Sequence, residues 1–428
     1  MKLKIYTCLY LLSLFCCMGC SENLLPSENN QGTESNTPNT PHYTPTTGVL
    51  LLGKSISNPD QGALAYINTQ GQLEEDVWQK ANGSTLVSTP RDLCICKDKL
   101  YILCGTDGNG SSTDGGLIIA DTATFKKEKM FSLSTLSFKK PEGTGADYKP
   151  YLRTPSNIAV LDERNVFIKD AQGLFRLDTT TGILTAVEGT YHIANTAGGA
   201  GNLESKVSSK GLVVANGNLY IGSAGFWNDQ SGIMEIAPNK NKVNRTLEMV
   251  VDLFSGLTAG KENELLLAQY ARPQSGVTKR SNKISRIDLT TFQAPETIAK
   301  PTQISLSPGF FDKSGVTYDG RNYLYLSEIE ETETKVNYKM TLNRISLSDG
   351  TSETLADFTD EVSDAQYLTT NPVMDRYSQY LYVSVADEMK EGKPSTSHLL
   401  IYDCSGNQPV LVQKISGQTS KTTCIYFK

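Results

Sequence analysis

The chain has 428 residues, and 46 acidic residues against 40 Lys and Arg give it a formal net charge of −6. An acidic chain without a basic run argues against nucleic acid as a partner. The chain has only three histidines. A three-His metal site or a His-based triad would have to draw on nearly all of them, so we expect neither.

The chain begins with the pattern of a bacterial lipoprotein signal peptide. Two lysines precede an apolar run, Ile5–Phe15, which is too short to be a comfortable transmembrane helix. Small residues then lead to Cys20, as a lipoprotein signal peptidase requires. We predict a signal peptide at 1–19 and lipidation of Cys20, the alternative being a plain secretory signal with an incidental Cys. No later stretch approaches 18 apolar residues, so we expect membrane attachment only through this N-terminal lipid.

The segment after the signal peptide differs in composition from the rest of the chain. Residues 20–47 are rich in Ser, Thr, Asn and Pro and have almost nothing to bury, which predicts a disordered tether behind the lipidated Cys. A globular composition follows, so we place a folded domain at 48–428. Without the signal peptide the net charge becomes about −8.

Five cysteines lie in the predicted domain. Cys94 and Cys96 lack the two-residue spacer of a zinc knuckle, and Cys104 follows on an adjacent predicted strand, so a metal site is not favoured. We predict small buried thiols in strands, with one disulfide at Cys104 as the alternative.

One short pattern, an apolar strand followed by a turn-forming residue, recurs seven times. The copies start at 63, 116, 173, 232, 283, 341 and 398. The residues five places into each copy are Asn68, Asp121, Asp178, Ala237, Asp288, Ser346 and Asp403. Asp, Asn and Ser side chains accept hydrogen bonds from backbone N–H groups two residues further on, so most of these are predicted to cap the turn after a strand.

Each copy follows a further predicted strand, and most copies follow two. The nearer strands are 49–55, 99–105, 165–171, 218–224, 264–270, 323–329 and 380–386. The strands ahead of those are 92–96, 157–161, 211–216, 256–260, 315–319 and 371–375. Only the first copy lacks this partner, and the missing strand is found at the end of the chain, 422–428. We therefore predict an all-β, seven-bladed β-propeller of four-stranded antiparallel blades, closed by the C-terminal strand joining the first blade.

The repeat style resembles that of a known family. The clearest unit, NIAVLDERNVFIKDAQGLFRLDTTTG at 157–182, looks like the YncE-like propellers of Gram-negative bacteria. The lipobox, polar tether and closing strand together resemble a surface-lipoprotein branch of gut anaerobes, some of which capture cobalamin and pass it to a TonB-dependent outer-membrane transporter. The resemblance covers roughly 46–428 and concerns structural motifs, so it carries over no binding residue.

The predicted connections differ greatly in length, and the long ones all belong to one face by strand order. They are 106–115, 223–231, 269–282, 328–340 and 387–397 within blades, and 132–156, 190–209 and 300–314 between blades. Aromatic and Arg side chains are frequent in them, as in binding surfaces. The candidate ligand-binding residues are Trp227, Phe226, Tyr270, Arg272, Arg280, Tyr151, Arg153, Tyr191 and Phe311. The alternative is that these side chains fill a cap over the channel. For His192 we expect a hydrogen bond within a connection rather than metal ligation.

These features favour a binding protein without a cofactor. The resemblance implies capture of a scarce small-molecule nutrient at the outer membrane, a corrinoid first, or haem or a ferric siderophore, and delivery to a TonB-dependent transporter. One alternative is a calcium-dependent propeller lactonase or lyase, for which Asn157, Asp319, Asn371 and Asp375 are eligible ligands. Another is a scaffold or glycan-binding protein of the cell surface.

Overall fold

The apolar runs of the repeats form β-strands in the computed structural model. It describes residues 43–55, 61–86, 89–105, 115–132, 136–145, 152, 154–194, 201–223, 230–250, 252–271, 282–302, 304, 306, 315–331, 336–387, 396–417 and 421–428. These residues belong to one unit, Pro41–Lys428.

The described residues form 32 β-strands. The first sixteen are β1 (Val49–Lys54), β2 (Gly62–Ile67), β3 (Leu73–Glu74), β4 (Thr89–Cys96), β5 (Lys99–Gly105), β6 (Gly116–Asp121), β7 (Lys127–Ser132), β8 (Ser137–Lys139), β9 (Asn157–Asp162), β10 (Asn165–Asp170), β11 (Gly173–Asp178), β12 (Ile183–Ala186), β13 (Tyr191–Ala194), β14 (Asn202–Ser205), β15 (Val207–Ala215) and β16 (Asn218–Ser223). The others are β17 (Gln230–Ile236), β18 (Arg245–Val250), β19 (Asp252–Ala259), β20 (Glu264–Ala271), β21 (Asn282–Asp288), β22 (Glu296–Ala299), β23 (Val316–Tyr318), β24 (Tyr323–Glu331), β25 (Val336–Ser346), β26 (Ser352–Asp357), β27 (Ala365–Leu368), β28 (Val373–Asp375), β29 (Tyr380–Asp387), β30 (Ser397–Asp403), β31 (Val410–Ser416) and β32 (Lys421–Phe427).

Hydrogen bonding groups the strands of the described residues into the seven predicted blades. From the innermost strand outward, blade 1 is β32-β1-β2-β3, blade 2 is β4-β5-β6-β7, blade 3 is β9-β10-β11-β12, blade 4 is β15-β16-β17-β18, blade 5 is β19-β20-β21-β22, blade 6 is β23-β24-β25-β26 and blade 7 is β28-β29-β30-β31. In blade 7, β27 also pairs with β29, and in blade 3, β8 adds a parallel fifth strand beside β12. The seven-bladed prediction is confirmed.

The C-terminal strand completes blade 1, as predicted. β32 runs antiparallel to β1, from Val49 opposite Phe427 to Lys54 opposite Lys421, with an irregularity at Leu52 and Gly53. Two segments more than 360 residues apart in the chain are therefore held in one ladder, and β1 is paired on both of its sides.

The hydrophobic core is divided among the contacts between blades. The described residues form seven apolar clusters, one between each adjacent pair of blades. Successive residues of a strand alternate between two clusters: Leu50 and Leu52 face blade 2, whereas Val49 and Leu51 face blade 7. Because both faces of each sheet are buried, the strands read as continuous apolar runs rather than as alternating ones.

Packing in this unit begins ahead of the first strand. Tyr43, which the sequence analysis places in the tether, is 5% exposed and lies in the cluster between blades 7 and 1. Its hydroxyl is 2.9 Å from the hydroxyl of Tyr382, and its ring makes an edge contact with Tyr380, with 5.0 Å between ring centres.

Helices contribute little to the described residues. They are α1 (Val77–Asn82), which buries Val77 and Trp78, and α2 (Phe358–Glu361), whose first turn is capped by the Asp357 side chain. None of the helices in the described segments is long and apolar enough to cross a membrane.

Candidate functional site

The two ends of the ring differ in how the strands are joined. At one end, which we call the loop face, the second strand of a blade connects to the third through two residues (171–172) to ten residues (106–115 and 272–281). The connections from one blade to the next also leave from this face. At the other end, the turn face, the first and second strands of blades 2 to 7 are joined by only two to four residues.

Several connections predicted to be long loops contain regular structure. In the segment 328–340, β24 and β25 continue as a hairpin in which Ile329 pairs with Tyr338 and Glu331 with Val336. In 190–209, β13 and β14 pair with each other, and in 132–156, β8 pairs with β12. The prediction of plain loops was wrong at these strands, because neither alternating charges nor polar residues prevent backbone pairing between adjacent strands.

Carboxylates at the turn face hold the short turns. Oδ1 of Asp319 accepts hydrogen bonds from the backbone N–H groups of Arg321, Asn322 and Tyr323 at 2.7, 2.9 and 3.0 Å. Asp375 accepts one from the backbone of Tyr377 at 3.0 Å. These two acids therefore serve local turns.

The eligible calcium ligands do not converge. Asn157 and Asn371 lie at the loop-face ends of innermost strands, whereas Asp319 and Asp375 lie at the turn-face ends. Asp375 lies four positions after Asn371, which in extended chain is about 13 Å. Among the described residues there is no group of three or more His, Cys, Asp or Glu side chains placed to hold a metal ion.

A central channel runs between the innermost strands and contains a cavity of about 600 Å³. Every blade contributes to its wall, which is formed by 92–95, 157–160, 211–214, 257–259, 316–317, 370–373, Arg376 and 425–426. The wall combines apolar side chains with polar ones, which include Asp92, Asn157, Thr258, Thr317, Asn371 and Arg376.

Asp92 is the charged group near the loop-face end of the channel. The residue is 5% exposed, and its Oδ2 accepts a hydrogen bond from the backbone N–H of Ile158 in blade 3 at 3.0 Å. Its Oδ1 accepts from the backbone of Leu93 at 2.8 Å and from the thiol of Cys424 in blade 1 at 3.5 Å. One carboxylate thus links three consecutive blades around the channel.

Arg376 lies at the turn-face end. Its Nε donates to the carbonyl of Tyr318 at 3.1 Å, one terminal nitrogen donates to Gly260 at 3.2 Å, and the other donates to the carbonyl of Ala259 and to Thr258 Oγ1. The guanidinium therefore ties blade 7 to blades 6 and 5. Burial lowers its pKa from the usual value, while the nearby Tyr318 and Asp319 act in the opposite direction.

Most of the candidate residues predicted from the sequence lie outside the described residues. These are Trp227, Phe226, Arg272, Arg280, Tyr151, Arg153, Phe311 and the predicted lipidation site Cys20. The described strand ends Ser223 and Ala271 immediately precede the connections that contain Phe226, Trp227, Arg272 and Arg280, and both ends lie at the loop face.

Two of the candidates are described, and both are packed. Tyr270, near the end of β20, is 3% exposed and lies in the cluster between blades 5 and 6 with Ile304 and Leu306. Tyr191 is half-buried in β13, and burial, with a smaller contribution from Glu188, raises its pKa. The ring of Tyr270 is therefore a core group in this structure.

His192 makes the kind of contact expected from the sequence. Its Nε2 is 2.6 Å from Oε2 of Glu204, its partner across the β13–β14 pair. The five cysteines of the described residues are free, so the prediction of unpaired thiols is also confirmed.

Sequence reasoning missed Asp92 and Arg376 as channel residues. Asp92 could have been noticed, because it begins the quoted strand 92–96 at the place where Asn157 begins its own. Arg376 carries no such signal, since its role depends on carbonyl groups more than 50 residues away in the chain.

Together the ring of seven four-stranded blades and the axial channel define a seven-bladed β-propeller. The profile of the family described as "Domain of unknown function (DUF5074)" matches residues 48–370. The match covers three quarters of the chain, which therefore belongs to this family.

No curated protein sequence matches the chain significantly. Similar solved structures include the Dos1 propeller, at 11% identity and a TM-score of 0.45 over 87% of this chain and 86% of that one. Hydrazine synthase of Kuenenia stuttgartiensis matches at 9% identity and a TM-score of 0.43 over 83% and 96%. The computationally designed protein Ika8 matches at 10% identity and a TM-score of 0.41 over 90% and 98%.

Proposed function

We propose that this protein is an outer-membrane lipoprotein, anchored through Cys20 and facing the cell exterior, that binds a scarce nutrient at the loop face. A corrinoid is the ligand class we favour, followed by haem and ferric siderophores. The proposal includes delivery of the ligand to a TonB-dependent outer-membrane transporter.

The asymmetry of the ring is the observation that carries the proposal. At the turn face, the first and second strands of blades 2 to 7 are joined by short turns, in which carboxylates such as that of Asp319 accept backbone hydrogen bonds, and Arg376 lies at that end of the channel. Binding residues are concentrated on connections that a rigid scaffold positions, and every connection of more than eight residues lies at the loop face. A large ligand would therefore be met at the loop face.

The residue types in these connections support a ligand with extended flat surfaces. Phe226 and Trp227 follow β16, and Arg272 and Arg280 follow β20. Aromatic side chains and Arg supply most of the binding energy in protein interfaces. Corrinoids, haems and ferric catecholates are large, partly unsaturated groups that such side chains bind.

Tryptophan fluorescence offers a direct test, because the chain has two Trp residues and one of them, Trp78, is buried in α1. The purified protein is titrated with cobalamin, cobinamide, haem and a ferric catecholate, all of which absorb where tryptophan emits. We expect quenching that persists in Trp78→Phe and is reduced in Trp227→Phe. Trp227→Ala should weaken binding about tenfold or more, as removal of a dominant aromatic contact does.

Tyr377 provides a matched control, since it is 90% exposed and lies in a turn of the opposite face. Tyr377→Ala should leave the affinity unchanged. If none of the four ligands binds below millimolar concentration, or if Tyr377→Ala weakens binding as much as Trp227→Ala does, nutrient capture at the loop face is wrong.

The anchor is tested separately by fractionation. Cys20→Ala should abolish incorporation of labelled fatty acid, while the protein without residues 1–20 should stay out of the membrane fraction and still bind the ligand. Labelled fatty acid that is still incorporated into the Cys20→Ala variant would contradict lipidation at this residue.

A further inference from the structure

Apolar side chains are left partly uncovered inside the channel cavity. Val214, near the turn-face end of β15 in blade 4, lines the cavity of about 600 Å³ and is 44% exposed. Leu212 on the same strand and Ile95 on β4 also line the cavity and are half-buried. Apolar surface that stays in contact with water is unfavourable in proportion to its area. An apolar molecule in the channel would therefore be stabilised by these side chains.

The cation at the turn-face end of the same cavity is bound by neutral groups. The hydrogen bonds of Arg376 go to the carbonyls of Tyr318, Gly260 and Ala259 and to the hydroxyl of Thr258. A guanidinium has five N–H donors, so the nitrogen that binds Gly260 keeps one N–H without an acceptor among the described residues. These residues also supply no carboxylate that forms an ion pair with Arg376. The site therefore has a cation and a donor to offer to a ligand.

The acids of the neighbouring turns are bound locally. The charge of Asp319 acts on Arg376, but its Oδ1 accepts three backbone hydrogen bonds of its own turn. Asp375 accepts hydrogen bonds from the backbone of Tyr377 at 3.0 Å and from the hydroxyl of Ser378 at 2.6 Å. A carboxylate carried by a ligand would supply the ion pair that these acids do not form with Arg376.

The cation and the apolar side chains border the same part of the channel. Arg376 extends from blade 7 to carbonyls of blades 6 and 5, and blade 4, which contains Val214, is the next blade in the ring. The charged group near the other end of the channel is the carboxylate of Asp92. This polarity favours an anion whose charged group lies at the turn-face end and whose apolar body extends toward the loop face.

We propose that the channel binds an apolar monocarboxylate, such as a medium-chain fatty acid, with its carboxylate on Arg376 and its chain along Val214, Leu212 and Ile95. The cavity volume is typical of small-molecule sites, which combine apolar walls with a few polar groups that orient the ligand. Hydrogen bonds between Arg and carboxylate are among the strong ones, because both groups are charged. The site is separate from the connections of the loop face, and it goes beyond the proposed function.

Calorimetric titration with decanoate tests this site. The protein without residues 1–20, which lie outside the unit Pro41–Lys428, is used so that no detergent competes for the probe. We expect saturable binding of one decanoate per chain and an affinity that rises about fourfold for each CH₂ added from hexanoate to decanoate. Decanol and decyltrimethylammonium should bind about tenfold more weakly or less, because neither forms the charged hydrogen bond to Arg376.

Two substitutions of the same shape test the position of the carboxylate. Val214→Asp places a negative charge beside the ligand's own, whereas Val214→Asn has nearly the same size without the charge. Decanoate should bind to Val214→Asp about tenfold more weakly than to Val214→Asn, while decanol should bind equally to both. Because Val214 is largely exposed in the channel, both variants should fold, which circular dichroism checks.

The preference for decanoate over decanol tests Arg376 independently of its effect on stability. Arg376→Met should abolish this preference, Arg376→Lys should keep part of it, and Arg321→Met, which removes an exposed cation of the same face, should leave it unchanged. The site is overturned if decanoate does not saturate below millimolar concentration, if decanol binds as tightly as decanoate, or if the two Val214 variants bind decanoate equally. None of these results depends on Trp227, so they are distinguishable from a failure of nutrient capture at the loop face.

Discussion

Single polar side chains recur at equivalent turns of the blades. Oδ1 of Asn68 accepts hydrogen bonds from the backbone of Gln70 and Gln72 at 3.0 Å each. Oδ1 of Asp178 accepts one from the backbone of Thr180 at 2.9 Å. Equivalent bonds are made by Asp121 to Thr124, Asp288 to Thr290 and Asp403 to Ser405. The capping role predicted for these Asp and Asn residues is confirmed, because an Asx turn needs only the residue and the local backbone.

Arg376 illustrates a side chain whose importance depends on distant partners. Replacement with Met keeps an apolar stem but removes every hydrogen bond to blades 5 and 6. Since hydrogen bonds to charged groups contribute about 1.5–3 kcal/mol, Arg376→Met should lower the free energy of unfolding by at least that much. Urea unfolding, followed by circular dichroism, measures the change.

Arg321 is the control for this substitution. It is exposed in the neighbouring turn of blade 6. Arg321→Met should stay within about 0.5 kcal/mol of the parent protein, as surface substitutions generally do. Equal stability of the two variants would mean that Arg376 does not hold the blades together.

At the scale of elements, the C-terminal strand decides whether the ring closes. Deletion of residues 422–428 removes the innermost strand of blade 1 and exposes apolar side chains of the clusters toward blades 2 and 7, to which Cys424 and Ile425 contribute. We expect loss of cooperative thermal unfolding, seen in calorimetry as a broad transition at lower temperature.

Two controls accompany the deletion of residues 422–428: a truncation outside the ring and a single substitution within β32. Deletion of residues 21–40, which lie outside the unit Pro41–Lys428, should leave the transition unchanged. Ile425→Ala should destabilise by about 2–5 kcal/mol without loss of cooperativity. A chain without residues 422–428 that melts as sharply and at the same temperature as the intact protein would contradict ring closure by β32.

The extended hairpin of blade 6 shows where prediction of elements fails. The segment 328–340 was predicted to be a long connection, but Glu328 lies in β24 and its carboxylate binds the ammonium of Lys339 at 3.0 Å. Pairing of β24 with β25 brings this lysine close to the acid, and the distance in sequence alone does not reveal the register.

At the scale of the whole molecule, buried tyrosines in the contacts between blades make stability sensitive to alkali. Burial raises the pKa of Tyr101, Tyr318 and Tyr426 to about 12 each. In the unfolded chain a tyrosine titrates near pH 10, so above that pH the unfolded state loses protons that the folded state retains. The contribution of these tyrosines to the free energy of unfolding is therefore complete below about pH 10 and is lost as the pH rises toward 12.

Urea midpoints between pH 8 and 11.5 test this dependence, together with the absorbance of tyrosinate at high pH. We expect the midpoints to fall from about pH 10 upward, with tyrosinate appearing as the protein unfolds. Tyr101→Phe should make the fall less steep. Midpoints that stay constant between pH 9 and 11 would contradict the prediction.

The sequence by itself determined the fold, because its signals are local or periodic. Strand composition, turn residues at fixed offsets and a repeat of about 55 residues identify the blades, and one missing strand at the start with one extra at the end predicts the closure. Strand order also identified the face that carries the long connections.

Only the tertiary structure decided which side chains share a site. Asp92 meets its partners in blades 1 and 3, and Arg376 meets its partners in blades 5 and 6, through the radial arrangement of segments that are distant in sequence. It also placed Tyr270 in a core. A strand pattern gives the face on which a residue lies within its own sheet, but the contacts between sheets depend on packing of the closed ring, which no local pattern encodes.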